Sequence, residues 1–245
     1  MTMQMPQKLS KSPLLEAIFE VRFEPSAPAA GDILPGLLYA SMKDEYPEVS
    51  ALARASVPRE LREGTPVLRY TASHRLSGEL KTVNIGDRVV SLNAVKYPGW
   101  SRFREMVETL LKAVSGTELV KRIERFSFKY VNLIEASQDQ RQLPLLNLQV
   151  TLMGIVPIER GFRLRAENDE GKCTTIIQIS PNGRARIHTA EEVFGLIVEV
   201  DTIMVELGDD FLTNPAPLLE EAHMVAKHTF FSLLTEDTLR KMGPQ

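Results

Sequence analysis

Glu199 and Asp201 are the pair of side chains in this chain most readily read as chemical. They fall two apart in a β-branched run, so on a strand both carboxylates leave the same face about 7 Å apart. Two acids so placed could hold Mg²⁺ for a hydrolytic reaction or share acid–base work. Such a site recruits a further ligand or a substrate phosphate. Without one, the pair is a solvated strand face opposite Leu196, Val198 and Val200. Glu220 and His223 lie at i, i+3, the spacing of carboxylate-bridged metal bundles. Those bundles need a second such pair from another helix, and the chain offers none. His223 and His228 are five apart and diverge around a helix. Cys173, beside Lys172, reads as an inert thiol. The chain has no Gly-x-Ser-x-Gly elbow and no glycine-rich phosphate loop after a strand.

The basic residues suggest binding rather than turnover. Arg163 and Arg165 share one strand face, and Arg184, Arg186 and His188 share another on a strand expected nearby. If the two strands lie in one sheet and point the same way, five nitrogen-rich side chains make a surface that reads anions, RNA or DNA phosphates among them. Lys121, Arg125 and Lys129 would add a third row. Against this, Glu124, Glu167, Asp169 and Glu170 are close in sequence, and alternating charge is also what a solvated strand looks like.

Composition narrows the classes. The 245 residues are 43% hydrophobic and 25% charged, which suits a globular fold with a real core. The formal charge of −3 gives no global pull toward nucleic acid or anionic lipid, so any basic site must be local. One cysteine and four histidines are too few for a familiar structural zinc set, and a lone thiol suits a reducing compartment. Residues 1–12 are polar, without the apolar core of a signal peptide. The apolar run from Leu143 to Ile158 is too short and interrupted to span a bilayer. The expectation is a cytoplasmic protein without cofactor or membrane.

The elements that would position these residues follow from periodicity. Leu15, Ala17, Phe19, Val21 and Phe23 alternate with Glu16, Glu20 and Arg22, which predicts a half-buried strand. A helix capped by Asp32 carries Ile33, Leu37, Leu38 and Met42. Ser50 to Pro66 reads as irregular and Val67 to Arg75 as a strand. Lys81–Ile85 and Arg88–Val95 flank Gly86-Asp87, a hairpin signal with glycine at the first central position of a type II′ turn. Trp100, Phe103, Val107, Leu110 and Val114 form the apolar stripe of a helix that stops at Gly116. Leu119 to Ile134 predicts a long strand with Phe126, Phe128 and Tyr130 on one face. Strands are expected over Leu148–Val156, Phe162–Glu167, Cys173–Ile179, Arg184–His188 after a Pro181-Asn182-Gly183 turn, and Leu196–Glu206. Asn214-Pro215 opens a last long helix, in which adjacent Phe230 and Phe231 cannot both face the core centrally, so one should meet an interface. Thr235 caps a final turn.

The order repeats: a long strand, antiparallel strands joined by tight turns, then one amphipathic helix. It predicts an α+β fold as a single globular unit, 1–245, built of two similar β-rich halves, about 12–117 and 118–245. The sheet should be mostly antiparallel and curved, with long helices on one face, by analogy with TATA-binding-protein-like or helix-grip folds. A helix-grip arrangement would also allow a cavity between sheet and last helix.

Four strings resemble a known family. They are Pro13-Leu14-Leu15-Glu16-Ala17-Ile18-Phe19-Glu20, Tyr97-Pro98-Gly99-Trp100-Ser101-Arg102-Phe103, Arg125-Phe126-Ser127-Phe128-Lys129-Tyr130-Val131-Asn132 and Leu219-Glu220-Glu221-Ala222-His223. In this order they resemble a sporadically distributed family of uncharacterised prokaryotic proteins of about 250 residues, over nearly the whole chain. The resemblance implies a prokaryotic source and the patchy distribution common at defence and toxin–antitoxin loci. It supplies no catalytic residues. Where that family often has Asp-x-Asp before its last helix, this chain has Glu199 and Asp201.

Together these readings predict a non-enzymatic protein-interaction module that meets a protein partner or a second copy of itself. The alternative is nucleic-acid binding through Arg163, Arg165, Arg184, Arg186 and His188, and the third reading is a metal-dependent hydrolase using Glu199 and Asp201.

Overall fold

Alternation along the N-terminal segment produces strand β1 (Leu14–Pro25), in which Ala17, Phe19, Val21 and Phe23 are wholly buried and the residues between them are not. The computed structural model describes residues 5–151, 153–155, 159–186, 192–208 and 210–245. After β1 the chain runs through α1 (Ala30–Met42), β2 (Glu48–Ala51), α2 (Arg59–Gly64), α3 (Pro66–Arg69), β3 (His74–Gly78), β4 (Lys81–Ile85), β5 (Val89–Ala94), α4 (Trp100–Ser115) and β6 (Val120–Glu135). It continues with β7 (Leu164–Glu170), β8 (Cys173–Arg186), β9 (Glu192–Met204), α5 (Ala216–Leu233) and α6 (Glu236–Lys241). The strands hydrogen-bond in the order β2-β3-β4-β5-β1-β6-β9-β8-β7, a large antiparallel sheet accompanied by helices, so the class is α+β.

Backbone proximity divides the chain into two compact units. The larger comprises Glu16–Phe128 and Ile203–Ala222, and the smaller Met1–Leu15, Lys129–Thr202 and His223–Gln245.

In the larger unit the strand register sorts side chains into rows. Phe19 stands opposite Leu92, Leu92 opposite Val83, and Val83 opposite Leu76, all wholly buried. One residue along, Glu20 pairs with Ser91, Ser91 with Asn84 and Asn84 with Arg75. A period of two therefore makes one face a core and the other a polar network, in which Asn84 donates to Asn93 (2.9 Å) and Asn93 to Glu16 (2.9 Å). Helix α4 packs on the apolar face: its Phe103, Val107, Leu110, Leu111 and Val114 are buried, and Phe103 meets Phe128 of β6 (centroids 6.1 Å apart), which meets Phe19 of β1 (5.4 Å). Each such side chain contributes about 1.5–3 kcal/mol by leaving water. Phe128 makes an edge contact with Trp100 (centroids 5.4 Å apart), and Phe126 stacks on Phe211 at 5.0 Å.

The smaller unit pairs β7 with β8 from Leu164↔Ile179 to Glu170↔Cys173. Asn132 on β6 donates to the Val198 carbonyl on β9 (3.3 Å), and Tyr130 shares a hydrogen bond of 2.9 Å with His223. A loop after β6 returns against the end of α5, where the Asn147 amide donates to the carbonyls of Ser232 and Leu234 at 3.1 and 2.8 Å. Thr235 caps α6 by accepting from the Thr238 N–H, as expected.

Several local expectations are corrected. The segment after Thr65 is not a strand up to Arg75. Pro66 occupies the first turn of α3, Val67 is 83% exposed, and the strand begins at His74. Ser50 to Pro66 is not irregular but holds the end of β2, a 3-10 turn at Ala53–Ser56 and α2. Helix α1 begins before Asp32, which lies in its first turn and accepts a hydrogen bond from Arg62. At the β4–β5 hairpin the Gly86 N–H donates to the Val89 carbonyl (2.8 Å), so the central residues are Asp87 and Arg88. Gly86 is required for another reason: a Cβ there would stand 2.6 Å from the Thr71 carbonyl oxygen. No strand forms among the described residues of 148–156, and Met153 and Ile155 are 94% and 70% exposed. Pro181-Asn182-Gly183 does not turn the chain: β8 continues through it, with Asn182 at φ +61° and its N–H taken by Gln142. Phe230 and Phe231 are both buried, ring edge against ring face.

Candidate functional site

The smaller unit holds a cleft of about 670 Å³ lined by four arginines, Arg141, Arg160, Arg163 and Arg184. They arrive from three places in the chain. Arg141 is on the loop after β6, Arg160 and Arg163 are on the approach to β7, and Arg184 is near the end of β8. Asp139 and Glu159 are the acids of the lining, so the walls carry an excess of two positive charges. Gln138, Gln140, Asn182 and Phe194 complete the polar and aromatic surface.

Glu159 builds the wall rather than neutralising it. Its carboxylate accepts the backbone N–H groups of Gln142 (2.6 Å) and Leu143 (3.1 Å), the start of a 3-10 turn at Leu143–Leu145, and lies 3.6 Å from the Arg141 Nε. The Gln142 side chain is sealed from solvent. Its Oε1 accepts the Asn182 N–H at 2.8 Å, and its Nε2 has no acceptor among the described residues. The loop after β6 is thereby tied to the left-handed residue of β8. Arg184 lies over the ring of Phe194 on β9, its Cζ 5.9 Å from the centroid, and stands 3.6 Å from Glu192 with both side chains half in solvent. Arg163 donates to the Phe162 carbonyl at 2.8 Å and is exposed. Guanidinium groups held this way present free N–H forks to a ligand carboxylate or phosphate.

Of the five basic residues singled out in the sequence, Arg163 and Arg184 meet in this cleft. Arg165 is exposed and paired with Glu167 on its own strand. Arg186 belongs to β8, and its side chain, like all of His188, lies outside the described residues. The third row is internally neutral: Lys121 pairs with Glu24 (2.7 Å), Arg125 with Glu20 (3.2 Å) and Lys129 with Glu199. Glu199 also accepts from Gln178 at 3.3 Å, and Asp201 is half-buried two residues further along β9. Among the described residues no three histidine, cysteine or acidic side chains gather as a metal site. Glu220 accepts from the Trp100 indole (2.7 Å) and from Arg104 (3.3 Å), His223 is buried against Tyr130, and Cys173 is buried.

Arg141, Arg160, Gln142, Glu159 and Phe194 are not apparent as site residues from sequence periodicity. A local signal is the string Glu159-Arg160-Gly161, charged and ending in glycine just before the expected strand Phe162–Glu167, which reads first as a loop. No described helix is long and apolar enough to cross a membrane. Compared with known proteins, the chain matches no protein-family model and no curated protein.

Proposed function

We propose that this protein is a non-catalytic binder of nucleic acid, and that the arginine cleft of the smaller unit holds the phosphate backbone. The observation that carries the reading is the convergence of Arg163 and Arg184 with Arg141 and Arg160 around one open volume of about 670 Å³. Phosphate neutralisation by arginine releases counterions, so affinity for a single strand falls with salt with a log–log slope of about −0.7 per contact. Four contacts give a slope of about −3 by that rule. The test is fluorescence anisotropy of labelled RNA and DNA oligonucleotides between 50 and 200 mM salt. Arg163→Glu and Arg184→Glu should each weaken binding at least tenfold and flatten the slope, while Arg165→Glu, outside the cleft, should change little. Wild-type binding by both reversals rejects the reading.

A protein partner is the second reading, and α1 favours it. Ile33, Gly36, Leu37 and Ala40 recur at i, i+3, i+4 and i+7 on its exposed side, with Ile33 49% and Leu37 42% exposed. An uncharged face of that kind is what a partner helix or a second copy would cover. Leu37→Glu should abolish association seen by light scattering, and a strictly monomeric protein without co-purifying partner counts against it. The same proposal includes a cytoplasmic setting, supported by the single thiol, and an architecture of the TATA-binding-protein-like or helix-grip kind, supported by the antiparallel sheet with α4 packed on its apolar face.

A further inference from the structure

We infer that the cleft takes an unpaired nucleotide, its phosphate held by the arginines and its base laid against the Phe194 ring. This rests on the nucleic-acid reading above and sharpens it, because it requires bases that are free rather than paired.

Three features of the lining carry the inference. The first is size: about 670 Å³ lies within the range of clefts that enclose a small ligand, roughly 300–1,000 Å³. That is room for one or two nucleotides. A duplex presents its phosphates on a convex surface with its base faces stacked out of reach, so such a hollow gains little from it.

The second is the aromatic group. Binding phosphates alone needs no ring, yet half-buried Phe194 is part of the lining and the planar guanidinium of Arg184 lies over one face of it with Cζ 5.9 Å from its centroid, so a base stacks on the ring's other face or on the guanidinium plane. A basic groove with an aromatic face is how proteins hold single strands, the ring stacking on a base and the cations tracking the backbone. The third is the amide set. Gln138, Gln140 and Asn182 offer both donors and acceptors to a base edge, and Asn182 is fixed by its N–H to Gln142 and by its amide to the Glu159 carbonyl at 3.5 Å.

An unpaired nucleotide can come from a single strand or from a free mononucleotide. The experiment uses the full-length protein with a labelled eight-nucleotide single strand, the same sequence as a duplex, an abasic strand of equal length, and a nucleoside monophosphate and inorganic phosphate as competitors. The single strand should bind at least tenfold more tightly than the duplex and at least fivefold more tightly than the abasic strand. Phe194→Leu should weaken single-strand binding about 5–20-fold with the salt slope unchanged, and Phe194→Tyr should keep it. Competition by the monophosphate at micromolar concentration identifies a free nucleotide as a ligand, whereas competition by oligomers alone identifies a strand. Either supports the inference. Equal binding of duplex and single strand, or of abasic and intact strand, overturns it while Arg163→Glu still abolishes binding and the broader reading stands. The abasic comparison needs no variant, so it decides even if Phe194→Leu fails to fold. Absence of binding by wild-type protein to every oligonucleotide means that the broader reading has failed first.

Discussion

Arg62 and Asp87 form an ion pair in the interior of the larger unit: Nη1 of the arginine lies 3.1 Å from Oδ1 of the aspartate, and the residues are 6% and 7% exposed. Arg54, 5% exposed, reaches the other oxygen at 3.0 Å, and Arg62 also bonds Asp32 at 3.1 Å. One carboxylate thus serves two sealed guanidinium groups. Removing it should cost more than an ordinary buried pair contributes, because Arg54 loses its carboxylate and Arg62 keeps only the half-exposed Asp32. Asp87→Ala is expected to lower stability by about 3–5 kcal/mol. Arg54→Met with Arg62→Met in the same chain should recover most of that loss. Urea unfolding followed by circular dichroism measures both, and a loss under 1 kcal/mol for the single variant would show that solvent already relieves the cluster.

Gly195 on β9 faces the backbone of β6. A Cβ there would collide with the Ile134 carbonyl oxygen, an atom that cannot swing aside as a side-chain tip can. Gly195→Ala should therefore cost about 2–3 kcal/mol through separation of the two strands. Since Phe194 is its neighbour, the same substitution should weaken nucleotide binding. Thermal unfolding and anisotropy, measured together, should move in the same direction.

Tyr46 is buried, and that burial pushes its phenol well above the usual range, with Glu45 adding to the shift. Below the unfolded tyrosine pKa of about 10 both states are neutral and the packing contribution is complete. Above it the unfolded chain releases a proton that the folded chain keeps, so stability falls as pH rises, by up to about 1.4 kcal/mol per pH unit. Tyr46→Phe should flatten that alkaline slope. Urea midpoints between pH 8 and 11 test this, and parallel curves for the two proteins would reject it.

Much of the scaffold was legible in the sequence because its signal is local. Alternation in β1 and the three-and-four spacing in α4 each arise within one element, and β1 and α4 bury the residues that periodicity selects. The misread segments are those in which a tertiary contact decides. Pro181-Asn182-Gly183 has the composition of a turn, but Gln142, forty residues away, accepts the Asn182 N–H and the strand runs on. Arg54 and Arg62 sit in a charged stretch with no period, and the distant Asp87, with Asp32 for Arg62, gives them a place in the interior. The cleft was half visible for the same reason. Arg163 and Arg184 belong to or adjoin strands, whereas Arg141 and Glu159 lie in loops whose positions depend on each other.

Two acids, Glu159 in the cleft wall and Glu192 beside the cleft residue Arg184, should respond in opposite directions when neutralised. Glu192 stands 3.6 Å from Arg184 with its carboxylate half in solvent. Glu192→Gln removes a competitor for that guanidinium, so affinity for a single strand should rise about 2–5-fold at 100 mM salt, with a slope steeper by about 0.7. Glu159 carries the same charge in the opposite role. Its side chain is 11% exposed and receives two backbone N–H groups besides facing Arg141. Glu159→Gln keeps the shape but gives up charge-assisted bonds, so the loop that carries Arg141 should loosen, stability should drop by about 1–2 kcal/mol, and affinity should fall despite the more positive cleft. If charge alone governed binding, both variants would bind more tightly. Opposite signs in the two titrations mean that the cleft works through positioned arginines rather than through a diffuse positive field.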